Sequence, residues 1–260
     1  MSESMTVVTW NVNGIRARLD HVLTYLSDNE PDIVCLQESK VANNLFPRVP
    51  FMELGYHLSI HGAKGYAGVV TLSKSKPTEV HLGWRDDPPD TACRVVNTVV
   101  DGIRIYNVYC PNGTKIGTDK FDHKINWFRR LRSELDATET PESNVLIVGD
   151  FNIAPDARDV YDEANFVGQL HYTDEEHAVL NHVLAFGLED CFRKFNQEGG
   201  HFTWFDYRAG AFRRKRGMRI DHVYATKSVA ARVTEVVHDR EPRTWEKPSD
   251  HMPVVTTLTR

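Results

Sequence analysis

The sequence predicts an α/β protein in which two mixed β-sheets pack face to face with helices outside. Three observations carry that prediction. Short runs rich in β-branched and aromatic residues recur from Thr6 to Leu258, the pattern of strands that are buried on at least one face. Two of these runs, 94–100 and 103–109, are separated only by Asp101-Gly102, a dipeptide that closes hairpins, so part of the sheet is antiparallel. Between the runs lie segments of helical periodicity, whose apolar faces need a sheet to cover.

Taken in chain order, a short tail of residues 1–5 leads into Thr6-Val7-Val8-Thr9, which ends at Trp10-Asn11-Val12-Asn13-Gly14. A helix follows over 19–27. Asp32-Ile33-Val34-Cys35-Leu36 is apolar enough for a buried strand and runs into Gln37-Glu38-Ser39-Lys40. Gly68-Val69-Val70-Thr71-Leu72 and the 94–109 hairpin come next. The spacing of Phe121, Ile125, Phe128, Leu131 and Leu135 puts all five on one face of a helix over 120–135. Asn144-Val145-Leu146-Ile147-Val148 reads as a strand ending in Gly149-Asp150-Phe151-Asn152, and 174–186 as a helix with Thr173 as N-cap. Two late runs, Val223-Tyr224 and Pro253-Val254-Val255, follow Arg219-Ile220-Asp221-His222 and Pro248-Ser249-Asp250-His251.

At 260 residues, 41% of them hydrophobic and 26% charged, the chain can bury a substantial core. No Pro, Gly or Ser-rich linker interrupts it, so one domain over 1–260 is expected. No run of about eighteen apolar residues and no charged-then-apolar leader is present, which predicts a soluble, intracellular protein. The four cysteines, Cys35, Cys93, Cys110 and Cys191, are scattered without a paired motif and read as reduced core residues. The net charge of −5 argues against a polyanionic partner, but its distribution does not. Arg208, Arg213, Arg214, Lys215, Arg216 and Arg219 lie within twelve residues without an acid among them, a basic loop directly before Ile220-Asp221.

Five segments place amide, acid or imidazole groups at strand ends, where a rigid sheet can hold several ligands around one point. Asp150 and Asn152 stand two apart, so in extended backbone both face the same way, toward one hard metal or one phosphate. Glu38 closes an apolar run and needs a partner cation there. Asp250 and His251 add an acid and an imidazole, and no cysteine lies near. An oxygen set of Asp, Glu and Asn suits magnesium or manganese better than zinc. Tyr109 ends a strand before Pro111-Asn112-Gly113, and its hydroxyl can bond a phosphate oxygen. Phe202-Thr203-Trp204-Phe205-Asp206-Tyr207 runs into the basic loop and could stack on a sugar or base. Taken singly, each is also compatible with a turn, a cap or a core side chain, and Asp221 with pairing to Arg219. Their joint occurrence points to a metal-assisted hydrolytic site.

In their order along the chain, Trp10-Asn11-Val12-Asn13-Gly14, Gln37-Glu38, Tyr109-x-Pro111-Asn112-Gly113, Gly149-Asp150-Phe151-Asn152, 202–208, Arg219-Ile220-Asp221 and Pro248-Ser249-Asp250-His251 resemble the exodeoxyribonuclease III and abasic-site endonuclease family of DNA repair enzymes, in its bacterial branch. The resemblance spans essentially the whole chain. It implies a four-layered α/β sandwich of the endonuclease, exonuclease and phosphatase superfamily, and magnesium-dependent cleavage of phosphodiesters in duplex DNA, with manganese able to substitute. It implies Glu38 as principal metal ligand with Asn11 beside it and Asp250 reaching the metal, with Asp150, Asn152 and His251 close enough to share in the metal site. Asp150 would align or deprotonate the attacking water, Asn152 and Tyr109 would bind the phosphate, and His251, oriented by Asp221, would do so as an imidazolium.

By the same resemblance, Asn112, Trp204, Arg208, Arg213, Arg214, Arg216 and Met218 would face DNA that carries abasic sites or 3' ends. Asn13 follows the bacterial pattern, where the eukaryotic branch carries an acid. Met218 stands where many relatives place Trp or Leu, and the loop at Phe166-Val167-Gly168-Gln169 lies where relatives vary. A monomer in the bacterial cytoplasm, held at the nucleoid through DNA and without a membrane partner, is the expectation. The alternatives on the same scaffold are a phosphoinositide or sphingomyelin phosphodiesterase and a non-catalytic nucleic-acid-binding regulator.

Overall fold

Apolar runs buried on both faces and long-range pairing of their backbones produce two six-stranded sheets in the computed structural model, which describes residues 4–85 and 92–260. The strands in chain order are β1 (Ser4–Asn11), β2 (Ile33–Gln37), β3 (His57–His61), β4 (Val69–Ser73), β5 (Glu79–Leu82), β6 (Val95–Val100), β7 (Ile103–Tyr109), β8 (Val145–Asp150), β9 (Leu188–Asp190), β10 (Asp221–Thr226), β11 (Val233–His238) and β12 (Val254–Thr259). The first sheet has the order β11-β12-β1-β2-β4-β3, the second β5-β6-β7-β8-β10-β9. Each contains one parallel pair, β1 with β2 and β7 with β8, among antiparallel neighbours. The sheets are therefore mixed, as expected. Strand β1 starts at Ser4 and Met5 is buried, so the tail of residues 1–5 is shorter than expected; residues 1–3 of it lie outside the described residues.

The helices are α1 (Leu19–Asn29), α2 (Arg48–Glu53), α3 (Asp119–Thr138), α4 (Glu163–Phe166), α5 (Asp174–Leu184) and α6 (Lys227–Ala230). Val22, Tyr25 and Leu26 of α1 pack on the outer face of the first sheet with Val8, Trp10 and Val34. Phe121, Ile125, Phe128, Leu131 and Leu135 of α3 join Val179, Leu180 and Val183 of α5 on the outer face of the second. Met5, Val7, Ile33 and Cys35 meet Ile103, Ile105, Leu146, Val148 and Val223 between the sheets. The order helix, sheet, sheet, helix is the four-layered sandwich. Thr173 caps α5 through a reciprocal box: its Oγ1 accepts from the Glu176 N–H, and Glu176 accepts from the Thr173 N–H. All four cysteines are buried and free, and burial pushes the Cys35 and Cys191 thiols up to about 12.

Toward one end of the sandwich the apolar filling gives way to amides. The Asn107 Nδ2 of β7 donates across the gap to the Val70 carbonyl at 3.0 Å, and Gln37 Nε2 of β2 donates to Asn107 Oδ1 at 2.8 Å and Thr9 Oγ1 at 2.9 Å. These bonds tie the first sheet to the second where β1, β2, β7 and β8 all terminate. Gly149 allows the tightest approach: at φ 146° a Cβ would lie 1.9 Å from the Val108 carbonyl oxygen, so any side chain there would push β8, and Asp150 with it, away from β7.

His222 on β10 is buried, its Nε2 2.8 Å from the Ile153 carbonyl. Burial and the neighbouring Arg219 guanidinium lower it to about 4. The folded chain keeps this ring neutral, while the unfolded chain protonates it near the ordinary 6.5. Its contribution to stability is thus intact above about pH 6.5 and is lost as pH falls from there toward 4, on the order of 3 kcal/mol. His222→Gln, which can still donate to Ile153 but cannot titrate, should lose less stability than the wild type between pH 7 and about pH 4.5. Urea midpoints at the two pH values measure the difference.

Candidate active site

The ends of β1 and β2 in one sheet, and of β7, β8 and β10 in the other, converge with the segment before β12 on a single cavity of about 190 Å³. Glu38, Tyr109, Asn112, Asp150, Asn152, His171, Trp204, Met218, Ile220, Asp250 and His251 line it. Asn11 spans the two sheets: its Nδ2 donates to Glu38 Oε1 and to Asp150 Oδ2, both at 2.9 Å. Two carboxylates from different sheets therefore lie within reach of one nitrogen. The Asn11 oxygen accepts the Asn13 N–H at 2.9 Å, so in this geometry the Asn11 side chain is a donor between the two acids. Asn152 Oδ1 accepts from Asn112 Nδ2 at 3.2 Å while its Nδ2 donates to the Cys110 carbonyl at 3.0 Å.

Lys40 supplies the cation that Glu38 needs, Nζ to Oε2 at 2.7 Å. Burial would raise the Glu38 carboxyl, but the bonds from Asn11 and Lys40 hold it below its ordinary range. Asp250 stays low despite burial through the His251 charge and bonds from Trp204 Nε1 and Asn13 Nδ2, both at 3.0 Å. Trp204 thus orients Asp250 while its own ring stays partly exposed. Asp150 is held by the Asn152 N–H at 2.9 Å on Oδ1, leaving Oδ2 toward the cavity. Burial, against the pull of His251 and with the push of Asp221 and Glu38, raises it to about 7.

His251 Nδ1 lies 2.9 Å from Asp221 Oδ2, and its Nε2 lies 3.8 Å from Asp150 Oδ2. A carboxylate only accepts, so Nδ1 carries a proton. Burial alone would lower this imidazole, yet Asp221 and Asp150 together raise it to about 10. At neutral pH it is an imidazolium that points Nε2–H into the cavity. The Asp150, Asp221 and His251 ligand atoms lie within 4.8 Å of one another, close enough to hold a cation. Asp221, however, sits behind the ring, outside the cavity lining, and is spent on Nδ1. The trio is better described as a proton-holding pair beside a carboxylate. Glu38, Asp150 and Asp250 on the cavity lining, which has no cysteine, offer the oxygen chemistry that a hard divalent ion takes.

A second set of buried charges fixes the strand behind the site. Arg219 does not pair with Asp221. Its guanidinium is buried between Asp159, 2.6 Å from Nε, and Asp190, 2.8 Å from Nη2, and Arg193 reaches Asp159 as well. Both acids keep the guanidinium charged despite its burial. The pairing pins the residues on either side of Arg219, Met218 and Ile220, which form the apolar wall with Trp204. Backbone bonds between Met218 and Trp204 and the Phe205 N–H to Asp250 O bond at 3.0 Å hold that wall to the acid.

Tyr109 is gripped from behind by Arg94: the guanidinium lies 4.6 Å from the ring centre and Nη1 donates to the Tyr109 carbonyl at 3.2 Å. Burial, with Glu38 and Asp150 nearby, raises the phenol far above its ordinary value, so it remains a donor. The basic loop is close by but not in the cavity. Arg208 is exposed and held by Asp206, Arg213 and Arg214 face solvent, and Arg216 with Arg208 and Tyr161 lines a shallow cavity of about 420 Å³ on the other side of Trp204. Phe166, in the loop expected to vary, lines the same surface. His171, Ile220, Lys40 and Arg94 were not among the residues expected from sequence. Lys40 had a signal, two residues past Glu38; His171 lies in a loop with no pattern to mark it.

Asp221→Asn keeps the shape of the pair and removes its charge. The His251 titration, followed by NMR of the imidazole over a pH series, should then fall well below about 10; an unchanged midpoint would show that Asp221 does not hold this proton.

Residues 8–251 match the model of the Endonuclease/Exonuclease/phosphatase family. The chain is 34% identical to exodeoxyribonuclease III of Haemophilus influenzae over 262 residues, 96% of this chain and 98% of that protein. Two solved structures superpose with TM-scores of 0.94. One is the 3' phosphatase NExo from Neisseria bound to product DNA hairpin, 38% identical and covering 98% of this chain and 100% of that one. The other is an AP endonuclease from Archaeoglobus fulgidus, 36% identical and covering 98% and 99%.

Proposed function

The chain belongs to the endonuclease/exonuclease/phosphatase family, among the exodeoxyribonuclease III relatives, and from that premise we propose that it is a DNA repair nuclease: an enzyme that hydrolyses phosphodiesters of duplex DNA at abasic sites and at 3' ends. One observation carries the reading. Glu38, Asp150, Asp250 and His251 converge on one cavity whose opposite wall is Trp204, Met218 and Ile220. The imidazolium suits a phosphate and the acids a cation beside it; the apolar wall suits a deoxyribose that has lost its base and turned out of the stack. Met218, slimmer and more adaptable than a ring, fits the sugar loosely.

The reaction needs a water placed in line with the scissile bond and donors around the phosphate oxygens. Asp150 Oδ2 faces the floor, where it takes the Asn11 bond on one lone pair and keeps the other, and as general base it aligns the water and takes its proton. His251 Nε2–H, the Tyr109 hydroxyl and the second N–H of Asn152 donate to the phosphate oxygens, and they do so from fixed positions, so little reorganisation is required as charge develops. Magnesium, with manganese as substitute, would be held by Glu38 and Asp250 with Asp150 close by, Asn11 and Asn152 serving as donors around it. Bound there, a divalent cation supplies Lewis-acid stabilisation of negative charge on the phosphate. Asn112 steadies Asn152 and reaches DNA at the rim.

The DNA would lie across the rim and the basic loop, with Arg208, Arg213, Arg214 and Arg216 facing its backbone. A single catalytic domain over 1–260 acting as a monomer, with no membrane partner, completes the reading. Among the described residues no helix is long and apolar enough to cross a membrane, and we place the enzyme in the bacterial cytoplasm, at the nucleoid through its substrate.

The test uses two end-labelled duplexes, one with an internal abasic analogue and one paired with a recessed 3' end, in magnesium or chelator. Metal-dependent incision beside the abasic analogue, lost by about 10²- to 10⁴-fold in Asp150→Asn, is expected. Digestion of the recessed end alone would restrict the enzyme to 3' ends, and no cleavage of either would sink the reading. Arg213, Arg214 and Arg216 changed together to Ala should flatten the dependence of duplex affinity on log salt by up to about 0.9 for each phosphate that the loop neutralises. An unchanged slope would take that loop off the DNA.

A further inference from the structure

Lys124 is buried in α3, beneath the cavity and outside the set of groups that face it. A lysine ammonium has three donors and no acceptor. Here all three are used: on the Asn152 carbonyl at 2.7 Å, on the Asn112 carbonyl at 3.3 Å, and on Glu176 Oε1 of α5. Glu176 is equally buried. It also accepts the His171 N–H at 3.1 Å, and closes the Thr173 cap at its other oxygen, 3.1 Å from the N–H and 2.9 Å from Oγ1. One ion pair thereby grips the turn after β7, the turn after β8 and the segment before α5. Each of the three delivers a side chain to the cavity: Asn112, Asn152 and His171.

The turns are shaped to the lysine. Gly113 has φ 88°, and a Cβ on it would stand 3.0 Å from Lys124 Cδ, so the Asn112-Gly113 turn lies directly on the lysine stem. Asn152 itself has φ 52°, a left-handed conformation, and its carbonyl also takes His171 Nδ1 at 2.6 Å. That carbonyl thus has two donors anchoring it. A buried ion pair adds little net stability over an apolar pair of the same volume, so stability alone gives no reason for charges at this place. Geometry does.

We infer that Lys124 is a positioning residue for phosphodiester cleavage: through the Asn112 and Asn152 carbonyls it sets where the two asparagine side chains meet the phosphate, and Glu176 neutralises it and adds the His171 segment to the same anchor. The inference rests on the proposed nuclease reading. Lys124 touches no substrate. Its loss should therefore lower the rate of the chemical step and leave the affinity for substrate unchanged, the mark of a group that acts on transition-state geometry.

The experiment compares wild type with Lys124→Met and with the double variant Lys124→Met/Glu176→Gln, which removes both charges, keeps their volume and retains a capping residue at position 176. Thermal unfolding, equilibrium binding of the abasic-analogue duplex in chelator, and single-turnover incision of that duplex in magnesium are measured on each. Incision by the wild type decides the nuclease reading by itself, so failure there is distinct from failure of this inference. For the double variant the expected result is a thermal midpoint close to wild type, binding within about twofold, and single-turnover incision slowed about 10- to 100-fold. Incision within twofold of wild type, or a loss confined to binding, overturns the inference. Should neither variant fold, hydrogen exchange of the wild type decides: segments 110–114, 150–154 and 170–173 should share the protection of the α3 core, and independent opening of any of them overturns it.

Discussion

The site depends on a polar contact that does no chemistry, the amide bridge from Gln37 to Asn107 and on to Val70. Glu38 and Asn11 ride on one sheet; Tyr109, Asp150 and Asp221 ride on the other. Apolar packing between sheets sets their separation but tolerates sliding, because dispersion and burial have no direction. Hydrogen bonds do. The Asn107 amide accepts from one sheet neighbour and donates to others, so a slip of one sheet against the other would leave buried amide groups unpaired at a cost of about 1–3 kcal/mol for each. Its place at the cavity end of the sandwich matters, since an error in register there becomes an error in the distance between Glu38 and Asp150.

Above that bridge the protein uses buried and half-buried charge to hold geometry. Asp159 and Asp190 clamp Arg219, Asp221 holds the His251 proton, and Lys40 sits on Glu38. None of these pairs is a strong case for stability taken alone. Each fixes one end of a segment whose other end reaches the cavity, which is how loops at strand ends acquire the rigidity of the sheets below. The same logic makes removal of one partner more disruptive than removal of both.

Much of this was legible in the sequence because the central strands and the large helices carry strong patterns. The five-residue face of α3, the Thr173 cap and the Asp101-Gly102 turn all appear where periodicity and turn chemistry put them. The strands left unread were β3, β5, β9 and β11, and these are the four sheet edges. An edge strand covers little core and keeps one row of backbone groups free, so nothing forces a long apolar run on it; β5 is mostly exposed. In the site, the acids and His251 were visible as strand-end motifs. The orientation of Asn11 was not, because an amide looks the same in sequence whether it offers oxygen or nitrogen. Nor was the partner of Arg219: the adjacent Asp221 invited a local pairing, while the real partners lie 60 and 29 residues away. Lys124 has no motif to mark it in the sequence, and only the fold shows it turned inward.

Three of the four buried cysteines bear on the conditions this protein can survive. Oxidants and alkylating reagents attack thiolate, and a thiol raised to about 12, as at Cys35 and Cys191, presents almost none at neutral pH. Cys110, next to Tyr109 and raised well above its ordinary value by burial and Asp150, is as inert as those two despite its position beside the site. Exposure to peroxide that injures DNA would leave these three sulfurs reduced, and none of them offers a thiol through which such an exposure could switch the site off.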